Sequence, residues 1–174
     1  YYGSGLVTPP LVRTAQRRLR GPGSHQPPVL VDSRYSLLKY RRMTMCTPNE
    51  SEVEALLGVR IGEDSRVLER AGRTLLARTG AAGVLITRGS RGMALFEPNG
   101  ATLHIPIFGS DQIADVTGAG DTVIATMTLA LAAGGTADEA ARLANYAGGL
   151  VVMKRGTATV TADELKQAIR ADRA

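Results

Sequence analysis

The sequence predicts an α/β domain built from parallel βαβ units, and three patterns predict it. Two continuous apolar runs, Pro28-Val29-Leu30-Val31-Asp32 and Ala82 to Thr87, read as strands buried on both faces. Helical stretches alternate with them and have legible ends, with polar caps before the apolar residues and glycines after them. Polar residues then fall where strands end: Asp32, Asn49, Thr87 and the 115–121 loop. Open α/β sheets hold their ligands at that carboxyl edge, so these motifs are expected to converge there.

Taken in order, Thr8-Pro9-Pro10-Leu11-Val12 starts a helix, with Thr8 as N-cap and proline in the first turn. Leu11, Val12, Ala15 and Leu19 form its apolar stripe, and Gly21-Pro22-Gly23 ends it. The first strand follows, closed by Asp32, then a short helix around Tyr35 to Tyr40 and a second short strand over Met43-Thr44-Met45-Cys46-Thr47. Pro48-Asn49-Glu50-Ser51-Glu52 turns the chain into a helix carrying Val53, Leu56 and Leu57, which Gly58 stops. Glu63-Asp64-Ser65 caps the next helix, with Val67, Leu68, Ala71, Leu75 and Leu76 on one face and Gly80 at its end. After the strand from Ala82 to Thr87, two short strands, Met93 to Glu97 and Thr102 to Ile107, flank Pro98-Asn99-Gly100 and form a hairpin. A helix to about Ala133 and a second from Asp138 to about Met153 come next. Thr161-Ala162-Asp163-Glu164 has the form of a capping box and opens the last helix.

The 174 residues, 44% of them hydrophobic, suffice for one ordinary core, and a single domain is expected. No apolar run reaches the roughly 18 residues of a membrane span, and Tyr1-Tyr2-Gly3-Ser4-Gly5 lacks the layout of a signal peptide, so a soluble, cytoplasmic protein is expected. One cysteine, Cys46, precludes an intrachain disulfide framework, and with only His25 and His104 beside it a zinc site is not expected. Cys46 itself sits in an apolar strand and reads as core. The net charge of +5 is carried in part by two clusters, Arg17-Arg18-Leu19-Arg20 and Lys39-Tyr40-Arg41-Arg42. Clusters this short are usually solvated faces, and with 4% aromatic residues there is no interleaving of the kind that stacks bases, so nucleic acid is not expected as a partner. The chain has no initiator Met and its first residues read as following a strand, so a preceding segment is expected.

Chemistry concentrates in Asp115-Val116-Thr117-Gly118-Ala119-Gly120-Asp121, which runs into the apolar stretch 122–131. Small residues entering a helix leave the amides of Ala119, Gly120 and Asp121 without intrahelical partners, where the helix dipole favours an anion. Gly118 and Gly120 allow close backbone approach, and Asp121 sets a carboxylate beside that site, in reach of an attacking hydroxyl. Read without ligands, the same stretch is a glycine-softened loop with a first-turn acid worth about 0.3–1 kcal/mol. It is neither the Gly-x-Gly-x-x-Gly of dinucleotide binding nor a P-loop. Asn49 with Glu52 three residues on is likewise a helix-capping pair in its simplest reading, and Lys154 a helix-end cation.

The heptapeptide 115–121 resembles the signature of the ribokinase-like (PfkB) carbohydrate kinases, and the resemblance runs through nearly the whole chain. Thr47-Pro48-Asn49-Glu50-Ser51-Glu52 is similar to that family's Asn-x-x-Glu element, Thr87-Arg88-Gly89-Ser90-Arg91-Gly92 to its nucleotide-phosphate loop, and Ala144-Asn145-Tyr146-Ala147-Gly148-Gly149 to its late helix near adenine. Asp115 to Val123 and Lys154-Arg155-Gly156-Thr157-Ala158-Thr159-Val160 resemble, within the family, bacterial D-glycero-β-D-manno-heptose 7-phosphate kinases, the kinase half of bifunctional proteins.

The resemblance implies a three-layer α/β/α fold with a mostly parallel sheet and a β-hairpin, and a chain that is the carboxyl-terminal, nucleotide-binding part, without the amino-terminal half and its lid. It implies that Asp121 takes the proton from a sugar hydroxyl, with Gly118, Ala119 and Gly120 as the anion hole. Asn49 and Glu52 would organise Mg²⁺ through its waters, and Thr87, Gly89, Gly92, Asp115, Thr117 and Asn145 would contact ATP. The implied partner is a sugar or sugar phosphate, with heptose 7-phosphate first, other sugars of the family as the alternative, and a homodimer allowed in the full-length protein. A truncated remnant that binds nucleotide without turnover is the reading from another functional class.

Overall fold

A computed structural model describes residues 7–19, 26–109 and 115–172. The readings placed on Tyr1 to Leu6, on the Gly21-Pro22-Gly23 helix stop and on His25 lie outside the described residues. Two compact units emerge, Tyr1–Thr87 with Leu95–Thr102, and Arg88–Ala94 with Leu103–Ala174. Among the described residues, no helix is long and apolar enough to cross a membrane.

The first unit begins with α1 (Pro9–Leu19), whose start is marked by the Leu11 amide donating 3.4 Å to Thr8 Oγ1. The apolar stripe expected on this helix is not buried. Leu11 and Leu19 remain 53% and 44% exposed, and the residue α1 buries is Gln16. The reason is polar: Gln16 Nε2 donates 3.2 and 3.1 Å to the carbonyls of Arg41 and Arg42, giving these backbone acceptors a partner. β1 (Leu30–Val31) and β2 (Met45–Cys46) are shorter than their apolar runs, and the expected helix between them is a single 3-10 turn, Leu37–Lys39.

α2 (Glu50–Leu57) and α3 (Ser65–Thr79) start at their caps Asn49 and Asp64 and stop at Gly58 and Gly80, as read from sequence. β3 (Gly83–Thr87) is buried along nearly its whole length. β1 pairs parallel with β2, and β2 with β3, in the registers Leu30 to Met45 and Met45 to Gly83. Val53, Leu68, Leu75, Leu85, Ile86 and Phe96 are essentially inaccessible and form this unit's core, each worth about 1.5–3 kcal/mol of burial. Cys46 belongs to it: burial, with Asp32 adding to the effect, pushes its thiol up to about 12, so it acts as a small apolar side chain.

The second unit is dominated by helices. α4 (Ala119–Ala132) packs on α5 (Ala137–Val152), which also meets α6 (Ala162–Asp172). Small residues of α5, namely Ala140, Ala141, Ala144, Ala147 and Gly148, line its buried face and let the two backbones approach, with Val123 and Met127 filling the other side. α5 opens on a capping box that sequence reading passed over: the Glu139 amide donates 3.2 Å to Thr136 Oγ1 and the Thr136 amide donates 2.8 Å to Glu139 Oε2. The hairpin expected from sequence is present, with β4 (Met93–Phe96) and β5 (Leu103–Ile105) as sheet neighbours.

Candidate functional site

In the first unit the carboxyl ends of β2 and β3 carry Asn49 and Thr87. A parallel bridge joins these two residues, and the Thr87 amide donates 3.1 Å to the Pro48 carbonyl, so both stand on one edge. Asn49 caps α2 in full. Its Oδ1 accepts from the Glu52 amide at 2.9 Å and from Ser51 Oγ at 2.7 Å, while Glu52 Oε2 accepts the Asn49 amide at 3.0 Å. The other oxygen, Glu52 Oε1, lies 3.6 Å from Arg34 Nε, and the Glu52 side chain is only 14% exposed. The capping reading of this pair is therefore realised, and it holds one carboxylate oxygen toward a cation rather than into the helix.

No group of three or more His, Cys, Asp or Glu among the described residues could hold a metal. One amide and one carboxylate suit an ion that keeps most of its waters, which is the habit of Mg²⁺, and to that extent this pair fits the metal. Two residues before Asn49, the buried hydroxyl of Thr47 has no hydrogen-bond partner among the described residues. It carries no sequence signal, since a threonine at a strand end is ordinary.

The loop after Thr87 folds into a 3-10 turn, Gly89–Arg91, closed by the Arg88 amide donating 2.8 Å to the Gly92 carbonyl. Gly92 has φ 74°, and a Cβ there would sit 2.1 Å from the Ile105 carbonyl oxygen. Only glycine allows the turn to close against β5. Gly89 is exposed, whereas Gly92, expected from sequence to contact nucleotide, is buried and its amide donates 3.0 Å to the Gly89 carbonyl, so it shapes the turn.

In the second unit Asp115 organises the loop that enters α4. Its Oδ1 accepts the Thr117 amide at 2.8 Å, its Oδ2 accepts the Gly156 amide at 3.2 Å, and its own amide donates 3.1 Å to the Val152 carbonyl. These bonds, those from Thr117 foremost, hold its carboxyl below the usual aspartate range. Gly118 then takes φ 78° as the N-cap of α4 and supplies no side chain to cap it. The Ala119 amide donates 3.2 Å to the Val116 carbonyl, so that member of the expected anion hole is already engaged in a turn. Gly120 and Asp121 follow, both exposed, in the first turn of a 14-residue helix with its dipole directed at them. An apolar groove of about 540 Å³ starts at Gly118 and Asp121 and runs along Thr122 and Leu129 toward Val160 and Leu165.

Asn145 is buried, 7% exposed, and its Nδ2 donates 2.8 Å to the Pro106 carbonyl. It lines a small cavity of about 170 Å³ with Phe108 and Tyr146, whose rings lie 4.5 Å apart. Tyr146 belongs to the 144–149 element read from sequence, but Phe108 does not, and nothing local marks the two rings as facing one cavity. Lys154 is more than a helix-end cation: its Nζ donates 2.7 Å to the Thr159 carbonyl and 2.6 Å to Glu164 Oε1.

Comparison with known proteins bears on the family and the fold. The model of the pfkB family carbohydrate kinases matches residues 12–164. The chain is 46% identical over 148 residues to the bifunctional protein HldE of Methylococcus capsulatus, covering 84% of this chain and 31% of that protein. It is 44% identical over 173 residues to the HldE of Trichlorobacter lovleyi, covering 97% of this chain and 33% of the other. The chain thus spans about a third of the length of these curated relatives. Among solved structures, Arabidopsis thaliana ribokinase, complexed with ribose and ATP, superposes with a TM-score of 0.67 at 27% identity, over 74% of this chain and 41% of that one. Phosphofructokinase-2 from Escherichia coli, in complex with fructose-6-phosphate, shares the fold with a TM-score of 0.70 at 18% identity, over 93% of this chain and 50% of the other. The fold is α/β and ribokinase-like.

Proposed function

This chain belongs to the pfkB family of carbohydrate kinases, and from that premise we propose that it is the carboxyl-terminal, nucleotide-binding part of an ATP-dependent kinase acting on a sugar phosphate, heptose 7-phosphate first. In this reading the fold is completed to three layers by a preceding half that supplies most sugar contacts. The observation that carries the proposal is the start of α4, where an exposed carboxylate, Asp121, shares one helical turn with a glycine-rich entry that no side chain caps. The identity to HldE proteins supports the choice of sugar.

Transfer to a hydroxyl proceeds through a loose transition state, so the protein's task is positioning and charge stabilisation. The acceptor oxygen attacks the γ-phosphorus, the bond from that phosphorus to the β–γ bridging oxygen breaks, and Asp121 takes the hydroxyl proton. The amides of Gly120 and Asp121, at the positive end of α4, stabilise the charge on the transferring group, with Gly118 and Ala119 shaping the approach. Asp115 and Thr117 hold this entry in place. Thr87 and Gly89 receive nucleotide phosphates, Gly92 closes the turn that carries Gly89, and Asn145 closes the adenine side. When bound, Mg²⁺ would neutralise phosphate charge, and Asn49 and Glu52 are the residues that would hold it through water.

The test is ADP release from Mg²⁺·ATP with heptose 7-phosphate, ribose and fructose 6-phosphate offered in parallel to the full-length protein. Release that depends on heptose 7-phosphate supports the reading. A preference for another sugar moves it within the family, and calorimetric ATP binding with no sugar-dependent release replaces it with a non-catalytic nucleotide-binding protein.

A further inference from the structure

Two basic clusters that are far apart in sequence meet in the first unit. Arg13 and Arg17 lie one helical turn apart on α1, and Arg41 and Arg42 follow the 3-10 turn before β2; with Gln16 they line a cavity of about 360 Å³. That volume falls in the range of small-ligand sites, about 300–1,000 Å³. No acidic residue contributes to the lining, and among the described residues none of the four guanidiniums forms an ion pair. The segments next to α1 that lie outside the described residues, 1–6 and 20–25, contain no Asp or Glu.

The loop that carries Arg41 and Arg42 is tied to α1 and to the residues that lead into it. Tyr40, itself buried, donates 2.8 Å from its hydroxyl to the Val7 carbonyl, and the buried amide of Gln16 donates to the carbonyls of both arginines. The Arg42 amide donates 3.1 Å to the Thr79 carbonyl, and Arg42 is the non-glycine residue with positive φ, 54°, among the described residues. A solvated basic face needs no such anchoring. Four positive charges held around one concavity repel one another until an anion enters, and planar guanidiniums match phosphate oxygens two at a time.

We propose that Arg13, Arg17, Arg41 and Arg42 form a binding site for a small phosphorylated anion, separate from the residues assigned to phosphoryl transfer. Sequence reading ranks each cluster alone as a solvated face; their convergence on one anchored pocket is a tertiary fact.

The experiment follows nitrogen-15-labelled protein by NMR during titration with inorganic pyrophosphate at constant ionic strength. Saturable shifts are expected at the Gln16 side-chain amide and the Arg41 and Arg42 backbone amides. The dissociation constant should rise about tenfold in Arg13→Gln/Arg17→Gln and in Arg41→Gln, as loss of a charge-assisted contact predicts. It should stay unchanged in Arg66→Gln/Arg70→Gln, which removes the same charge from α3. The amide spectrum of each variant verifies its fold, and the exposed loop substitution Arg41→Gln stands in should the helix variant unfold. Parallel arms with orthophosphate and with ribose 5-phosphate separate a free phosphate from one carried on a metabolite; saturable, arginine-dependent binding of either supports the site. Shifts that do not saturate, or equal weakening in the α3 control, overturn it in favour of general surface charge. Binding of a single-stranded oligonucleotide where all three phosphate probes fail overturns it in favour of a nucleic-acid surface.

Discussion

Asp115 Oδ2 accepts the amide of Gly156 at 3.2 Å, joining the loop that enters α4 to the loop that leaves α5. Asp115→Asn keeps the size of the side chain and removes its charge, weakening both this bond and the one from Thr117. Because the folded carboxyl titrates below its usual range, its stabilising contribution is fully present above the unfolded aspartate pKa, about 3.9, and is lost as pH falls through the folded value. The variant is therefore expected to melt lower than the parent at pH 7, with the gap closing toward acid. Urea denaturation across that pH range checks it, and a gap that is constant with pH contradicts it.

Asp121→Asn in the full-length protein is expected to lower kcat by about three orders of magnitude or more while ATP affinity changes less than about threefold, because only the proton acceptor is lost. Steady-state kinetics and calorimetry measure the two quantities. Near-normal turnover removes Asp121 from the mechanism.

Glu164 serves two masters, accepting from Lys154 and closing the Thr161 capping box, and these bonds, Lys154 first, lower its carboxyl to about 2. Its contribution is present above the unfolded glutamate pKa, about 4.3, and disappears as pH falls toward the folded value. Glu164→Gln should melt below the parent at neutral pH and converge with it in strong acid. Calorimetric melting temperatures of both proteins over that range decide the matter.

Gly92→Ala places a methyl group 2.1 Å from the Ile105 carbonyl oxygen at a φ of 74°. Backbone, rather than a flexible side chain, would have to move, so a loss of about 2 kcal/mol or more is expected from strain and displacement together. Equilibrium unfolding measures it; a loss below about 0.5 kcal/mol would show that β5 yields freely.

Thr47→Val exchanges a buried hydroxyl that has no partner among the described residues for a methyl of similar size. Relief of that unsatisfied group is expected to raise stability by about 1 kcal/mol. If the variant instead weakens Mg²⁺·ATP binding, the hydroxyl contacts that ligand.

Much of this was legible from sequence because its physics is local. The caps at Asn49, Asp64 and Thr161 act within three residues and were read at their correct positions. The αL stops at Gly58 and Gly80 are equally local, and the buried run ending at Thr87 carries its signal in continuous apolarity. The heptapeptide 115–121, together with the 47–52, 87–92 and 144–149 elements, identified the family from local residues, and the family model confirms it. Where local rules competed with distant partners they failed: the apolar stripe of α1 predicted its buried face, yet the helix buries Gln16 to satisfy carbonyls 25 and 26 residues away.

Sequence by itself therefore determined the α/β class, the caps of α2, α3 and α6, the stops of α2 and α3, and the family, since hydrogen bonds and helix dipoles that act within one turn are written in adjacent residues. Tertiary structure alone decided that Gly156 holds Asp115, that Glu164 holds Lys154, that Asn145 faces Phe108 and Tyr146, and that two arginine clusters share one cavity. Each of those depends on which backbone segments are brought together, and no residue carries that information in its immediate neighbours.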